Sequence, residues 1–106
     1  MTSSGSAKDL EAFEASVAAG VPSPGLGGPL LALWHAARGD WEAAHGVVQD
    51  DESPEGSWVH AHLHREEGDL PNARYWYRRA HRTFPRAQDP SAEIDALVAA
   101  WKKGMA

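Results

Sequence analysis

The chain has 106 residues, of which 42% are hydrophobic and 24% charged, with a net charge of −5 and no cysteine. That length and balance fit one globular domain, and the lack of cysteine excludes disulfides, thiolate metal sites and a cysteine nucleophile. The negative net charge argues against general affinity for DNA or for an anionic membrane.

In chain order, residues 1–5 (MTSSG) read as a disordered leader ahead of a single helical domain over 6–104. Ser6 and Asp9 resemble a capping box with Asp in place of Glu, and Leu10, Phe13, Val17 and Ala18 form one apolar stripe. A first helix is therefore expected over 7–19, ended by Gly20. Residues 21–29 (VPSPGLGGP) are too dense in Pro and Gly for helix and form a long loop. The glycines in it superficially resemble a phosphate loop, but no lysine follows and no strand precedes, so the segment reads as a connector.

A second helix is expected from Pro29 to Arg38, apolar almost all round and therefore central. A third is expected over 41–49. The acidic residues 50–52 form a solvated turn, and Ser53-Pro54 opens a fourth helix over 54–67. A fifth is expected over 70–83, with Ala73, Trp76, Tyr77, Ala80 and Phe84 as its stripe. Asp89-Pro90 opens a sixth over 90–103, where Ile94, Leu97, Val98 and Trp101 recur at helical spacing. The expected fold is all-α: six helices in antiparallel hairpins, the first and last closing the two ends. No apolar run approaches 18 residues and no signal-peptide core is present, so a cytoplasmic protein without membrane contact is the default.

Residues 30–48 and 59–77 form a repeat at a spacing of 29, with identities at Ala32/Ala61, His35/His64, Gly39/Gly68, Asp40/Asp69 and Ala44/Ala73. Gly39 and Gly68 suit a left-handed helix end, and Asp40 and Asp69 suit the next N-cap. Ala44 and Ala73 are small where two helices approach closely. Over residues 29–86 this pattern resembles the tetratricopeptide repeat family: Ala61, Gly68-Asp69-Leu70, Ala73, Tyr77, Ala80 and Pro85 fall at matching spacings. The spacing departs from that family's 34, Gly28 and Ser57 stand where it has an early Trp, and His35 and His64 replace its first-helix Tyr. The resemblance implies a right-handed array of helical hairpins with a concave groove, and it says little of function.

Three groups of residues draw functional interest. Trp58, His62 and Arg65 fall on one helix face, with Glu66 beside them, and the resemblance implies that this face lines the groove. The opposing reading packs Trp58 on a neighbouring helix. His60 and His64 lie one turn apart and could hold a metal ion with His35 or Glu67. The equivalence of His35 and His64 in the repeat favours a packing role, so no metal or other cofactor is assigned. Arg74, Arg78, Arg79, Arg82 and Arg86 are half of the chain's ten Lys and Arg, and residues 70–88 contain no acid. They suit a phosphate or nucleic-acid ligand, but the whole-chain charge favours an exposed basic face.

No catalytic context stands out: Glu66 and Glu67 diverge on a helix, and no nucleophile motif is present. The expected function is therefore non-enzymatic: a helical-repeat module that binds a protein or peptide, or itself as a homodimer through Trp41, Trp58 or Tyr75. The alternatives are a small-ligand or metal binder built on the histidines near Trp58, and an arginine-based anion binder.

Overall fold

The computed structural model describes residues 4–22, 27–85 and 90–102, with side chains for 11–22, 27–85 and 92–100. The described chain is all-helical: α1 (Ser4–Ala19), α2 (Gly28–Ala37), α3 (Trp41–Val48), α4 (Pro54–Glu67), α5 (Leu70–Arg79) and α6 (Pro90–Lys102), with no strand among the described residues.

Local chemistry sets most of these boundaries. Asp40 accepts from the Ala43 N–H at 3.1 Å and opens α3, and Ser53 accepts from the Gly56 N–H at 3.0 Å and opens α4. Asp69 does the same for α5, with a longer 3.4 Å bond from the Asn72 N–H. At the C-termini, Gly39 (φ 80°) and Gly68 (φ 90°) take the left-handed conformation. Each donates back three residues while the following Asp N–H reaches the His35 or His64 carbonyl. That double bond pattern satisfies carbonyls a helix end would otherwise leave bare.

Two boundaries differ from expectation. The fifth helix ends at Arg79 rather than 83, because His81 (φ 59°) takes the left-handed position that Gly39 and Gly68 take elsewhere. Its N–H and that of Arg82 bond to the Arg78 and Tyr77 carbonyls in the same pattern. A histidine tolerates that conformation without announcing it, whereas glycine is legible. The first helix begins at Ser4, so Ser6 is inside it rather than its cap, and residues 4 and 5 belong to helix rather than to a leader. Serine is only mildly unfavourable within a helix, so its capping chemistry does not by itself fix a boundary. Residues 1–3 and the Asp89 cap lie outside the described residues.

Sequential pairs α2–α3 and α4–α5 pack on each other, joined through the Gly39-Asp40 and Gly68-Asp69 turns. Ala32, Ala44, Ala61 and Ala73, the small residues of the repeat, are all fully buried where these helices meet. The core runs through Leu33, Trp34, Val48, Val59, Leu63, Tyr77, Leu97 and Val98. Helix α2 carries four buried residues in ten, as its all-round apolarity requires.

The terminal helices do not close opposite ends. Helix α6 packs on α1, α2 and α4, and α1 packs chiefly on α6. The chain folds back on itself, and the radius of gyration of 13.0 Å is that of a compact domain of about 100 residues. Indole N–H groups tie three of these joints: Trp34 Nε1 to Ser16 Oγ at 3.0 Å (α2 to α1), Trp41 Nε1 to the Leu63 carbonyl at 2.8 Å (α3 to α4), and Trp58 Nε1 to Glu93 Oε2 at 3.0 Å (α4 to α6). Trp34, Trp41 and Trp58 are therefore engaged in packing, and Trp58 is not available as an exposed contact for a second copy.

Nothing lies within 4 Å of a β-carbon built at Gly68 or at Gly46, so substitutions there report backbone conformation alone. Gly68→Ala should destabilise by about 1–2 kcal/mol, because it forces an L side chain into the left-handed region. Gly46→Ala, inside α3, should stabilise by about 0.5–1 kcal/mol. Thermal denaturation followed by circular dichroism checks both; equal effects would show that Gly68 is not held at positive φ.

Candidate functional site

Helix α4 carries both histidine groups. A helix advances 100° per residue, so the alternation His60-Ala61-His62-Leu63-His64 sends His60 and His64 to one face and His62 to another, with Trp58 and Arg65. The structure bears out this division and gives each face a different neighbour.

The Trp58 face is covered by α6. Glu93, only 2% exposed, projects from α6 between α4 and α5. Its carboxylate takes Trp58 Nε1 at 3.0 Å, His62 Nδ1 at 2.9 Å, Arg65 at 3.0 Å and the Tyr77 hydroxyl at 2.7 and 2.8 Å. An ionised carboxylate only accepts, so His62 Nδ1 carries the proton of that bond. Burial alone raises the Glu93 pKa. Hydrogen bonds from His62 and Tyr77, the charge of His62 and the Trp58 bond together outweigh it and hold the carboxyl below its ordinary 4.5. Burial also pushes the Tyr77 phenol up, and its bond to Glu93 pushes it further.

The expected groove residues thus lie mostly inside the fold. Trp58 and His62 are buried, Arg65 is committed to Glu93, and only Glu66 of the four is exposed. Helix α6 covers this face and supplies the carboxylate that its Trp58, His62 and Arg65 donors require.

The other face of α4 meets α3 and α5. His60 and His64 stack at 4.9 Å between ring centroids, and His45 of α3 stands edge-on to both, at 4.8 and 5.4 Å. His45 Nε2 lies 3.1 Å from His60 Nε2. Trp41 stacks on His45 and Trp76 on His60, at 4.7 and 4.0 Å. Glu67 Oε2 takes the His64 Nδ1 proton at 2.8 Å. Burial, followed by the proximity of His64 and His45, pushes His60 down to about 4, so its ring is neutral at pH 7. Burial and His64 lower His45 as well. His35, the expected third ligand, stands outside this cluster, half-buried with its ring edge-on to Trp34. Its repeat equivalence to His64 describes the helix end, not the side-chain neighbourhood.

The arginines divide. Arg79 lies over Trp76 and Tyr75, at 5.4 and 5.8 Å from the ring centroids, and near Glu52. Arg82 lies 3.7 Å over Trp58 and Arg74 4.9 Å over Phe84, and with Arg78 and Tyr77 these line a cavity of about 180 Å³. Much of the basic face therefore covers aromatic rings rather than forming one continuous patch. Arg86 lies outside the described residues. A second cleft, of about 220 Å³, lies between α1 and α6, with Phe13, Val17, Ala37 and Ile94 as its apolar wall and Glu14 and Asp95 beside them.

Two partners in these sites were not singled out from sequence. Glu93 had no distinguishing signal: it falls in the first turn of its helix, where an acid is ordinary. His45 had only its position one turn after Trp41. The chain matches no protein-family profile, no curated protein and no solved structure. No described helix is long and apolar enough to cross a membrane.

Glu93→Ala should cost about 3–5 kcal/mol, since it leaves buried donors and the Arg65 charge unmatched. The lowered pKa fixes the sign of the acid response. Stability from the Glu93 charge is fully present above pH 4.5 and is lost as pH falls through the lower folded-state value. The advantage of the wild-type chain over Glu93→Gln in urea denaturation should therefore shrink below pH 4.5 and hold level above it. An advantage that is constant from pH 7 to pH 3 would show that the fold does not lower the Glu93 pKa, and one that grows on acidification would show that it raises it.

Proposed function

We propose that this chain is a non-enzymatic interaction module, tetratricopeptide-like over residues 29–86, whose α4 groove takes a carboxylate-bearing helix from a protein partner. In the free protein its own α6 sits in that place. The observation that supports this reading is the convergence of Trp58, His62, Arg65 and Tyr77 on one carboxylate delivered by a separate helix.

A buried charge is tolerated only where its lone pairs are filled, and the donors are in turn left unmatched by a neutral side chain. Such a seat discriminates Glu from Gln at one position of a docked helix, which is how helix-in-groove recognition gains specificity. Helix α6 packs on α1, α2 and α4 and meets α5, the helix before it, through the Tyr77–Glu93 bonds. The donors that hold its carboxylate lie on α4 and α5, so a second helix of like chemistry can compete for the place.

Competition in trans tests this. A fluorescein-labelled peptide of residues 88–104 should bind the Glu93→Ala chain, whose groove donors lack their carboxylate, and should bind the wild-type chain less tightly. The same peptide carrying Glu93→Gln should bind at least about tenfold more weakly, the loss expected for charge-assisted hydrogen bonds. Fluorescence anisotropy reads both, with circular dichroism confirming that the variant is folded. Equal binding of the two peptides, or none by the folded variant, would sink the reading.

A further inference from the structure

We propose that His45, His60 and His64 form a binding site for a divalent transition-metal ion, with Zn²⁺ as the fitting species and one ring nitrogen from each residue as ligand. The site is independent of the Glu93 seat, because it lies on a different face of α4 and uses none of the same side chains.

Geometry carries the inference. One ring nitrogen from each of the three histidines lies within 4.8 Å of the others. Zn–N bonds of 2.0–2.1 Å in a tetrahedron place nitrogens roughly 3.3 Å apart. The 3.1 Å between His45 Nε2 and His60 Nε2 is already close to that spacing. A set of one nitrogen from each ring, within 4.8 Å of one another, exceeds that spacing by at most about 1.5 Å, within reach of small ring rotations.

The surroundings hold the rings as a metal site needs. Stacking of Trp41 on His45 (interplanar angle 9°) and of Trp76 on His60 (17°) fixes two ring planes. Glu67 accepts from His64 Nδ1, which leaves Nε2 of that ring with its lone pair. A carboxylate on the far nitrogen is the common way a ligating histidine is oriented and made more basic. Asn72 Nδ2 reaches that Nε2 only at 3.4 Å, a long contact that coordination would replace.

Hydrogen bonding alone does not satisfy the cluster. Two imidazole nitrogens 3.1 Å apart share a single proton, so only one of the two Nε2 atoms can offer a lone pair to the other. A metal ion at this point takes the place of the shared proton, which moves to Nδ1 of the ring that donated it, and both Nε2 lone pairs then face the ion. Three imidazoles without thiolate select Zn²⁺ and its transition-metal neighbours over Mg²⁺ or Ca²⁺. His45 is only half-buried, which gives the ion a route in and leaves a fourth position for water.

The test uses the full chain stripped with a chelator and melted with and without about 100 µM Zn²⁺, since a ligand of the native state raises its melting temperature. A rise of several degrees is expected, with none from equimolar Mg²⁺. His45→Ala, a truncation at a half-exposed position, should abolish the rise, whereas His35→Ala and His81→Ala, outside the cluster, should keep it. An unchanged melting temperature, or a rise that survives in His45→Ala, overturns the site. Should His45→Ala fail to fold, the visible spectrum of the Co²⁺-loaded wild-type chain decides. Tetrahedral absorption bands support the site and a purely octahedral spectrum overturns it.

Discussion

The structure turns on one buried charge. Glu93 brings a carboxylate to a place that is 2% exposed, and removing such a group from water costs several kcal/mol unless its oxygens are filled. Four donors fill them, three from α4 and one from α5. The requirement reaches far along the chain. It draws Trp58 and His62 inward, commits Arg65 to the interior edge, and fixes the face that α6 presents. Helix α1 then packs chiefly on α6, so the first and last helices meet although they are farthest apart in sequence.

Helix α4 serves two electrostatic regimes at once. Toward α6 its polar groups stabilise charge, and the surrounding donors draw the Glu93 carboxyl down against the push of burial. Toward α3 and α5 its histidines suppress charge, because burial and two neighbouring imidazoles keep His60 neutral. The alternation of histidine and apolar residues over 60–64 makes this possible. Steps of 100° separate His62 from His60 and His64, and Ala61 and Leu63 fill the core between. Lengthening that stretch by one residue would rotate one histidine group out of its environment and so couple two otherwise separate chemistries.

Local signals made the fold legible. The glycine and aspartate at each repeat turn, and the Ser-Pro opening of α4, place the bounds of α2, α3 and α4 to within one residue. The end of α5 escaped because His81 performs the role that glycine advertises. The sites were half legible. Spacing alone puts Trp58, His62 and Arg65 on one face and His60 with His64 on another. Their partners, Glu93 and His45, arrive from helices whose packing no local periodicity encodes, at sequence separations of 31 and 15 residues. Glu93 falls in the first turn of its helix, where an acid is ordinary, so nothing local marked it as buried.

The same reasoning explains why the α4 face that carries Trp58, His62 and Arg65 is covered. Two helical pairs have little inner surface of their own, and each repeat relies on its neighbours to cover its apolar face. A longer array supplies further repeats, and its concave side stays free for partners. Here the next helix after the second pair turns inward instead and lies against α2 and α4. The polar groups on that inner face then need a polar occupant, because an apolar helix would bury the Arg65 charge and the Trp58, His62 and Tyr77 donors unmatched. A carboxylate answers all four at once, so an acid is what a helix packed on this face has to bring.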